Sequence, residues 1–218
     1  MLGTTAIVLV VLVVGFALSV VGAKSLTSSA GGGGASTPMT PLQARIVSIA
    51  QGQVGYATDP PDTYCNKYSA YWSSGSADCS NGNMDEQWCA DFAAWVWKKA
   101  GATVDYQYVN GDINASAASF YEWGMDHGTW HPVGAKYVPQ PGDVAVYGLD
   151  AATLVAAHVA VVISYTAGDR GPNVVNGDGD QRGFSVVETG VDEIVADVPN
   201  SSAARLAGYV SPLPSSSS

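Results

Sequence analysis

The spacing of apolar residues predicts helices in the first half of the folded part of the chain. Residues 41–55, PLQARIVSIAQGQVG, carry apolar side chains at helical intervals, with a proline near the start and a glycine at the end. Residues 85–101, DEQWCADFAAWVWKKAG, predict a second helix that closes with two lysines and Gly101. A third, shorter helix is predicted within residues 114–128, NASAASFYEWGMDHG. A polar loop rich in Asn, Ser and Gly separates the first two helices.

From Pro139 onward the pattern changes to short apolar runs separated by turn residues, which is typical of strands. The runs are QPGDVAVYG, AHVAVVISY, GPNVVNG, GFSVVETG and RLAGYVSP. The second run is apolar on both faces, so we expect it to be a central strand. Helices followed by strands predict an α+β fold, in which N-terminal helices pack against one C-terminal antiparallel β-sheet.

The two ends of the chain have a different composition from its middle. Residues 6–23 are uncharged and apolar, so we assign residues 1–23 to a hydrophobic anchor or a signal segment. Residues 24–40 are rich in Gly, Ser and Thr and predict a flexible linker. The folded domain is then expected at residues 41–212, followed by a disordered tail at 213–218.

The apolar segment leaves two alternatives for localisation. No Lys or Arg precedes it and it is longer than most signal cores, which favours a single membrane anchor. The small residues VGA before Lys24 would instead suit signal cleavage. We therefore expect a domain outside the cytoplasm, attached to the cell membrane by one N-terminal helix or secreted.

Charge and composition exclude several classes of partner. The chain of 218 residues has nine basic residues and a formal net charge of −10, without a basic run, so nucleic-acid binding is not expected. We expect a monomer without a cofactor. Four oxygen-bearing side chains precede the second predicted helix, but their spacing differs from an EF-hand loop, which favours a solvated turn over a metal site. They are Asp78, Asn81, Asn83 and Asp85.

Three cysteines divide into a predicted pair and a free thiol. Cys65 and Cys79 bracket a polar loop, and a disulfide between them would close 15 residues and contribute about 3 kcal/mol. Cys89 remains unpaired near the start of the second helix, where the helix dipole favours a thiolate. It also lies on the apolar stripe of that helix, as a small core residue would. Asn83 and Glu86 resemble a capping box that would begin the helix earlier and weaken the dipole effect.

A nucleophilic thiol needs a base, and His158 is the strongest candidate of the three histidines. It opens the central strand, and the small residues Ala156 and Ala157 leave space beside its ring. His127 and His131 lie in DHGTWHP, where glycine and proline make a regular helix improbable, so their spacing is a weak zinc signal.

A third group is expected to orient the imidazole. Asn176 and Asp178 end the next strand, and antiparallel pairing would bring that end beside His158. Glu188 is a more distant alternative. The segment NGDGD also has the composition of an ordinary turn.

The motifs WCADFAAWVWKKAG, PQPGDVAVYG, HVAVVISY and VVNGDGD together resemble the cysteine, histidine-dependent amidohydrolase/peptidase (CHAP) domain, in the form common in actinobacteria and their phages. The resemblance covers most of residues 41–212. It implies a papain-like fold, in which the cysteine opens a helix packed on a sheet, and an activity that cleaves amide bonds in peptidoglycan.

By the same resemblance, Cys89 is the nucleophile and His158 the base. Asn176 is the first choice as orienting residue, because a neutral amide suffices in papain-like sites, and Asp178 is the second. We expect an ion pair with His158 to lower the pKa of the thiol below its free value of about 8.5. The backbone N–H of Cys89 and the Gln87 side chain are the candidates for stabilising the oxyanion.

The expected function is therefore an extracytoplasmic amidase or endopeptidase with peptidoglycan as its partner. An NlpC-type endopeptidase is an alternative with the same fold, although such enzymes usually carry DCSG where this chain has WCAD. A non-catalytic wall-binding module on this fold is another, and so is a hydrolase that acts on a different amide.

Overall fold

A computed structural model describes residues 38–60, 63–75, 77, 79, 87–167, 169, 171–179, 187–191 and 205–216. These residues belong to one compact unit, Pro38–Ser218. The predicted anchor or signal segment and nearly all of the predicted linker lie outside the described residues. In the part of the chain that is described, no helix has the length and apolar content needed to cross a membrane.

Four helices occur in the described residues. They are α1 Pro41–Gln51, α2 Lys67–Trp72, α3 Cys89–Ala100 and α4 Ala118–Asp126. The capping box of Thr40 and Gln43 starts α1, which ends at Gln51, four residues before the predicted glycine. The short helix α2 lies in the segment predicted as a loop, where the Asn66 side chain caps its first N–H groups.

In the described part of the chain, six strands form one antiparallel sheet in the order β1-β6-β2-β3-β4-β5. They are β1 Trp130–Pro132, β2 Val144–Tyr147, β3 His158–Ser164, β4 Asn173–Asn176, β5 Glu188–Val191 and β6 Leu206–Val210. The last five correspond to the five predicted runs, whereas the three-residue β1 was not predicted. The α+β prediction, with helices packed on an antiparallel sheet, is confirmed.

The central helix α3 lies on one face of the central strand β3. Nine of its twelve residues are buried, and its alanines allow close approach to neighbouring elements. The Trp97 indole N–H donates to the carbonyl of Gly142 at 2.9 Å, just before β2. Val159 and Val161 of β3 belong to the same buried cluster as α3, while Ala160 and Val162 face the opposite side. The expectation of a strand buried on both faces is therefore confirmed.

The C-terminal residues make contacts beyond the boundary predicted at 212. The N–H of Thr103 donates to the carbonyl of Leu213 at 2.7 Å, and the N–H of Ser215 donates to the carbonyl of Gly101 at 3.0 Å. Leu213 also packs on the main core. The first three residues of the predicted tail are thus held against the end of α3.

Candidate active site

Cys89 is the first residue of α3 and is a free, buried cysteine with 3% of its surface exposed. The N–H of Phe92 makes the first bond of the helix, to the carbonyl of Trp88 at 3.0 Å. The N–H groups before it are those of the helix N-terminus, which face the region around the sulfur. The later helix start is therefore correct, and the earlier start from a capping box at Asn83 is wrong.

His158 is the first residue of β3, and its ring is half-buried. Its Nε2 lies 3.1 Å from Asn176 Oδ1. Because an amide oxygen only accepts hydrogen bonds, Nε2 carries the proton and donates, and the neutral ring has Nδ1 as its acceptor. Burial lowers the pKa of His158, and the bond to Asn176 acts in the opposite direction. The imidazole is therefore neutral near pH 7 and able to accept a proton.

The pairing of β3 with β4 brings Asn176 to this histidine. The two strands run antiparallel, with Val161 opposite Val175, so the end of β4 lies beside the start of β3. This is the arrangement predicted from the order of the strands. Glu188, the more distant alternative, starts β5 with its backbone paired to Asn176.

The sulfur of Cys89 lies at the same end of β3 as His158. The backbone N–H groups of Val159 and Ala90 act on the sulfur and lower its pKa, and Val159 directly follows the histidine. The hydrogen bonds of the described residues include none between the sulfur and the ring. Catalytic hydrogen bonds are often long in a free enzyme and shorten in the substrate complex. Proton transfer from Cys89 to His158 therefore requires that the sulfur and the ring move closer together when substrate binds.

The charge state of Cys89 differs from the expectation. Burial first, and then the nearby carboxylates of Asp178 and Asp91, raise the pKa of the thiol to about 12. The Val159 and Ala90 N–H groups offset only part of this effect. The prediction of a lowered thiol pKa is wrong for the free protein, because desolvation and like charge outweigh the helix dipole.

Asp178 bonds the start of α3 rather than the imidazole. Its Oδ2 accepts the backbone N–H of Trp88 at 3.2 Å, while Oδ1 is buried and has no hydrogen-bond partner among the described residues. Its backbone is left-handed, with φ of 59°, which turns the chain away from the line of β4. Burial raises the pKa of Asp178 to about 7, and the Trp88 N–H partly opposes this shift. Of the two candidates, Asn176 is the residue that contacts the ring.

Gln87 precedes the helix cap Trp88, and its side chain is exposed. No hydrogen bond to the Gln87 side chain occurs among the described residues. Its oxyanion role stays a prediction.

The other two cysteines form the predicted disulfide. Cys65 and Cys79 are bonded, with their Cα atoms 5.3 Å apart. The closed loop contains α2, whose Trp72 indole N–H donates to the carbonyl of Asp91 at 3.0 Å. The disulfide loop thus packs on the first turn of the helix that carries Cys89.

Asp91 is a buried group of the site that sequence patterns did not identify. It accepts hydrogen bonds from Ser74 Oγ at 2.6 Å and from the Tyr106 hydroxyl, and burial raises its pKa. Only 1% of its surface is exposed. A carboxylate in the first turn of an otherwise apolar helix was the available signal, but it also suits ordinary dipole stabilisation.

The remaining candidate ligands do not form a metal site in the described structure. His127 Nδ1 lies 2.8 Å from the carbonyl of Trp123, and His131 Nε2 lies 3.1 Å from Ser211 Oγ. Within the described residues, no group of three or more His, Cys, Asp or Glu side chains is placed to hold a metal ion. The four oxygen-bearing residues considered for calcium, Asp78, Asn81, Asn83 and Asp85, lie outside the described residues.

Comparison with known protein families gives a match over the middle of the chain. Residues 80–177 match the CHAP domain, a range that includes Cys89, His158 and Asn176 and ends one residue before Asp178. No curated protein and no solved structure matches the chain. CHAP domains are generally hydrolytic and have a papain-like fold, in agreement with the helices and antiparallel sheet described above. Over residues 80–177, somewhat less than half of its length, this chain therefore matches the CHAP domain family.

Proposed function

We propose that this protein is an extracytoplasmic cysteine hydrolase that cleaves amide bonds in peptidoglycan, with Cys89 as nucleophile and His158 as base. The supporting observation is the position of His158, whose Nε2 lies 3.1 Å from Asn176 Oδ1. The backbone N–H of the next residue, Val159, acts on the Cys89 sulfur. A nucleophile, a base and an orienting group are thus gathered within one CHAP domain.

The chemistry follows from a resting pair in which both groups are neutral. As Sγ of Cys89 attacks the amide carbonyl, its proton passes to Nδ1 of His158, so the thiolate forms only during the attack. The backbone N–H of Cys89, with Gln87, stabilises the oxyanion. His158 then gives its proton to the leaving amine, and a thioester remains on Cys89. Water, deprotonated by His158, releases the acid product and restores the thiol.

The location and the partner follow from other parts of the chain. The disulfide between Cys65 and Cys79 supports an oxidising compartment outside the cytoplasm. Residues 6–23 would attach the domain to the cell membrane or direct its secretion. Because the chain has a formal net charge of −10, the domain holds the wall polymer by shape and short-range contacts, as a monomer.

The test is release of soluble muropeptides from purified cell walls by the intact protein and by Cys89→Ala and His158→Ala variants. Both variants are expected to lose more than about 100-fold in rate while keeping the circular dichroism of the native fold. His131→Ala is the matched control, because this histidine is also part-buried but bonds Ser211 outside the site. Mass spectrometry of the products distinguishes an amidase from an endopeptidase, including the NlpC-type alternative. Equal release by wild type and Cys89→Ala would refute the proposal, and wall binding without release would identify a binding module.

A further inference from the structure

The end of β4 crosses the beginning of α3 at very short range. Gly177 lies against Phe92, and a Cβ built at Gly177 would lie 2.6 Å from Phe92 Cγ. On either side of this glycine are Asn176, bonded to the His158 ring, and Asp178, bonded to the N–H of Trp88. The tripeptide of residues 176–178 therefore contacts both the histidine of the site and the residue before its cysteine.

In the described part of the chain, the N-cap residue of the helix that carries Cys89 provides no side-chain cap. Trp88 occupies the N-cap position and makes no side-chain capping bond. Asp178, 90 residues further along the chain, supplies an acceptor for the N–H of this residue. A carboxylate at a helix N-terminus is favourable, because the helix dipole and the free N–H groups attract negative charge.

The same carboxylate opposes ionisation of the nearby thiol. The charged groups that act on the Cys89 sulfur are Asp178 from the end of β4 and Asp91 from α3 itself, and Asp178 has the larger effect. His158 faces the site from β3 and is neutral. Among the described residues, no cation counters these two carboxylates at the sulfur.

We propose that Asp178 is a positioning residue that anchors the start of α3 to the end of β4 and, as a carboxylate beside Cys89, adds to the effect of burial in disfavouring the thiolate of the resting protein. The proposal rests on the proposed function for its biological meaning, but the contacts that carry it do not depend on hydrolysis. Because the thiolate is the form that reacts with electrophiles and oxidants, such a site protects its nucleophile until His158 takes the proton.

The test compares the rate of Cys89 modification by N-ethylmaleimide in wild type and Asp178→Asn, followed by mass spectrometry from pH 6 to pH 8.5. Asparagine keeps an acceptor for the Trp88 N–H but removes the charge. Below the Asp178 pKa of about 7 the wild-type carboxyl is largely protonated, so the two rates should be similar near pH 6. Above it, the variant should react about tenfold faster, the change that one pKa unit of the thiol produces.

Asp169→Asn is the control, because Asp169 is exposed and its side chain accepts, among the described residues, the local N–H of Thr166. It should react at the wild-type rate throughout. Asp178→Ala also removes the acceptor, and should lower thermal stability as well as raise reactivity. The proposal would be overturned if the ratio of the Asp178→Asn rate to the wild-type rate stayed constant with pH. A purely structural role of Asp178 would not depend on the protonation of its carboxyl group. Cys89 modification is measured without substrate, so its result does not depend on whether the protein hydrolyses peptidoglycan.

Discussion

Gly177 offers the most direct test of how closely the sheet and the catalytic helix must approach. It is buried between Asn176 and Asp178, and its missing side chain is what allows Phe92 of α3 to pack there. A Cβ at this position would overlap Phe92 Cβ and would lie 2.6 Å from Cγ and 2.9 Å from Cδ1. These atoms are at the base of a fully buried ring, so rotation of the side chain cannot relieve the overlap. Gly177→Ala must move β4 away from α3.

The expected cost is that of overpacking a core, about 1–3 kcal/mol of unfolding free energy. For a domain of this size, each kcal/mol corresponds to a fall of about 2–4 °C in Tm. The rate of muropeptide release should fall by more than the loss of stability explains, because the displaced strand carries Asn176, the amide that orients His158. A shift of about 1 Å in such a group can reduce the rate about 100-fold.

The assay is urea denaturation together with muropeptide release, measured at a temperature where each variant is fully folded. Gly128→Ala is the matched control: Gly128 has φ of 66°, and a Cβ there would meet no described atom within 4 Å apart from its chain neighbours. It should lose about 1–2 kcal/mol through left-handed strain alone, far from the site, and retain its rate. If Gly177→Ala has wild-type stability and activity, the close contact with Phe92 is not required, and the reasoning fails.

Two further predictions concern the orienting amide and the disulfide. Asn176→Ala removes the hydrogen bond that raises the pKa of His158, so that pKa falls further below its usual value. The acid limb of the pH–rate profile, where activity appears as His158 loses its proton, should move to lower pH, with a maximal rate at least about tenfold lower; a limb that moves to higher pH would contradict this role. Replacing Cys65 and Cys79 by alanine should lower the unfolding free energy by about 3 kcal/mol in urea titrations. Unchanged stability would show that packing of α2 alone holds the loop.

The features that sequence patterns predicted are those controlled by local residues. Helical spacing in residues 41–55 and the change to short apolar runs after Pro139 were sufficient for the α+β prediction. The disulfide between Cys65 and Cys79 was predicted because these two cysteines bracket a short polar loop, and the structure confirms it. His158 was identified by its place at the start of a strand that is apolar on both faces.

The features that were missed depend on distant partners. The helix α2 has only six residues, too few to be stable alone, and it forms where Tyr68 and Trp72 pack on α3. The three-residue β1 has little propensity of its own and exists as a partner of β6. Periodicity cannot reveal elements of this kind, since their stability comes from tertiary packing.

The chemistry of the site divides in the same way. The sequence by itself determined which groups are available: a thiol at a helix start, an imidazole at a strand start, and the pair Asn176 and Asp178 at the next strand end. Tertiary structure decided that the amide bonds the imidazole while the carboxylate bonds the helix. It also decided that Cys89 is a neutral thiol, because the pKa depends on burial and on a charge 89 residues away, which a linear pattern does not contain.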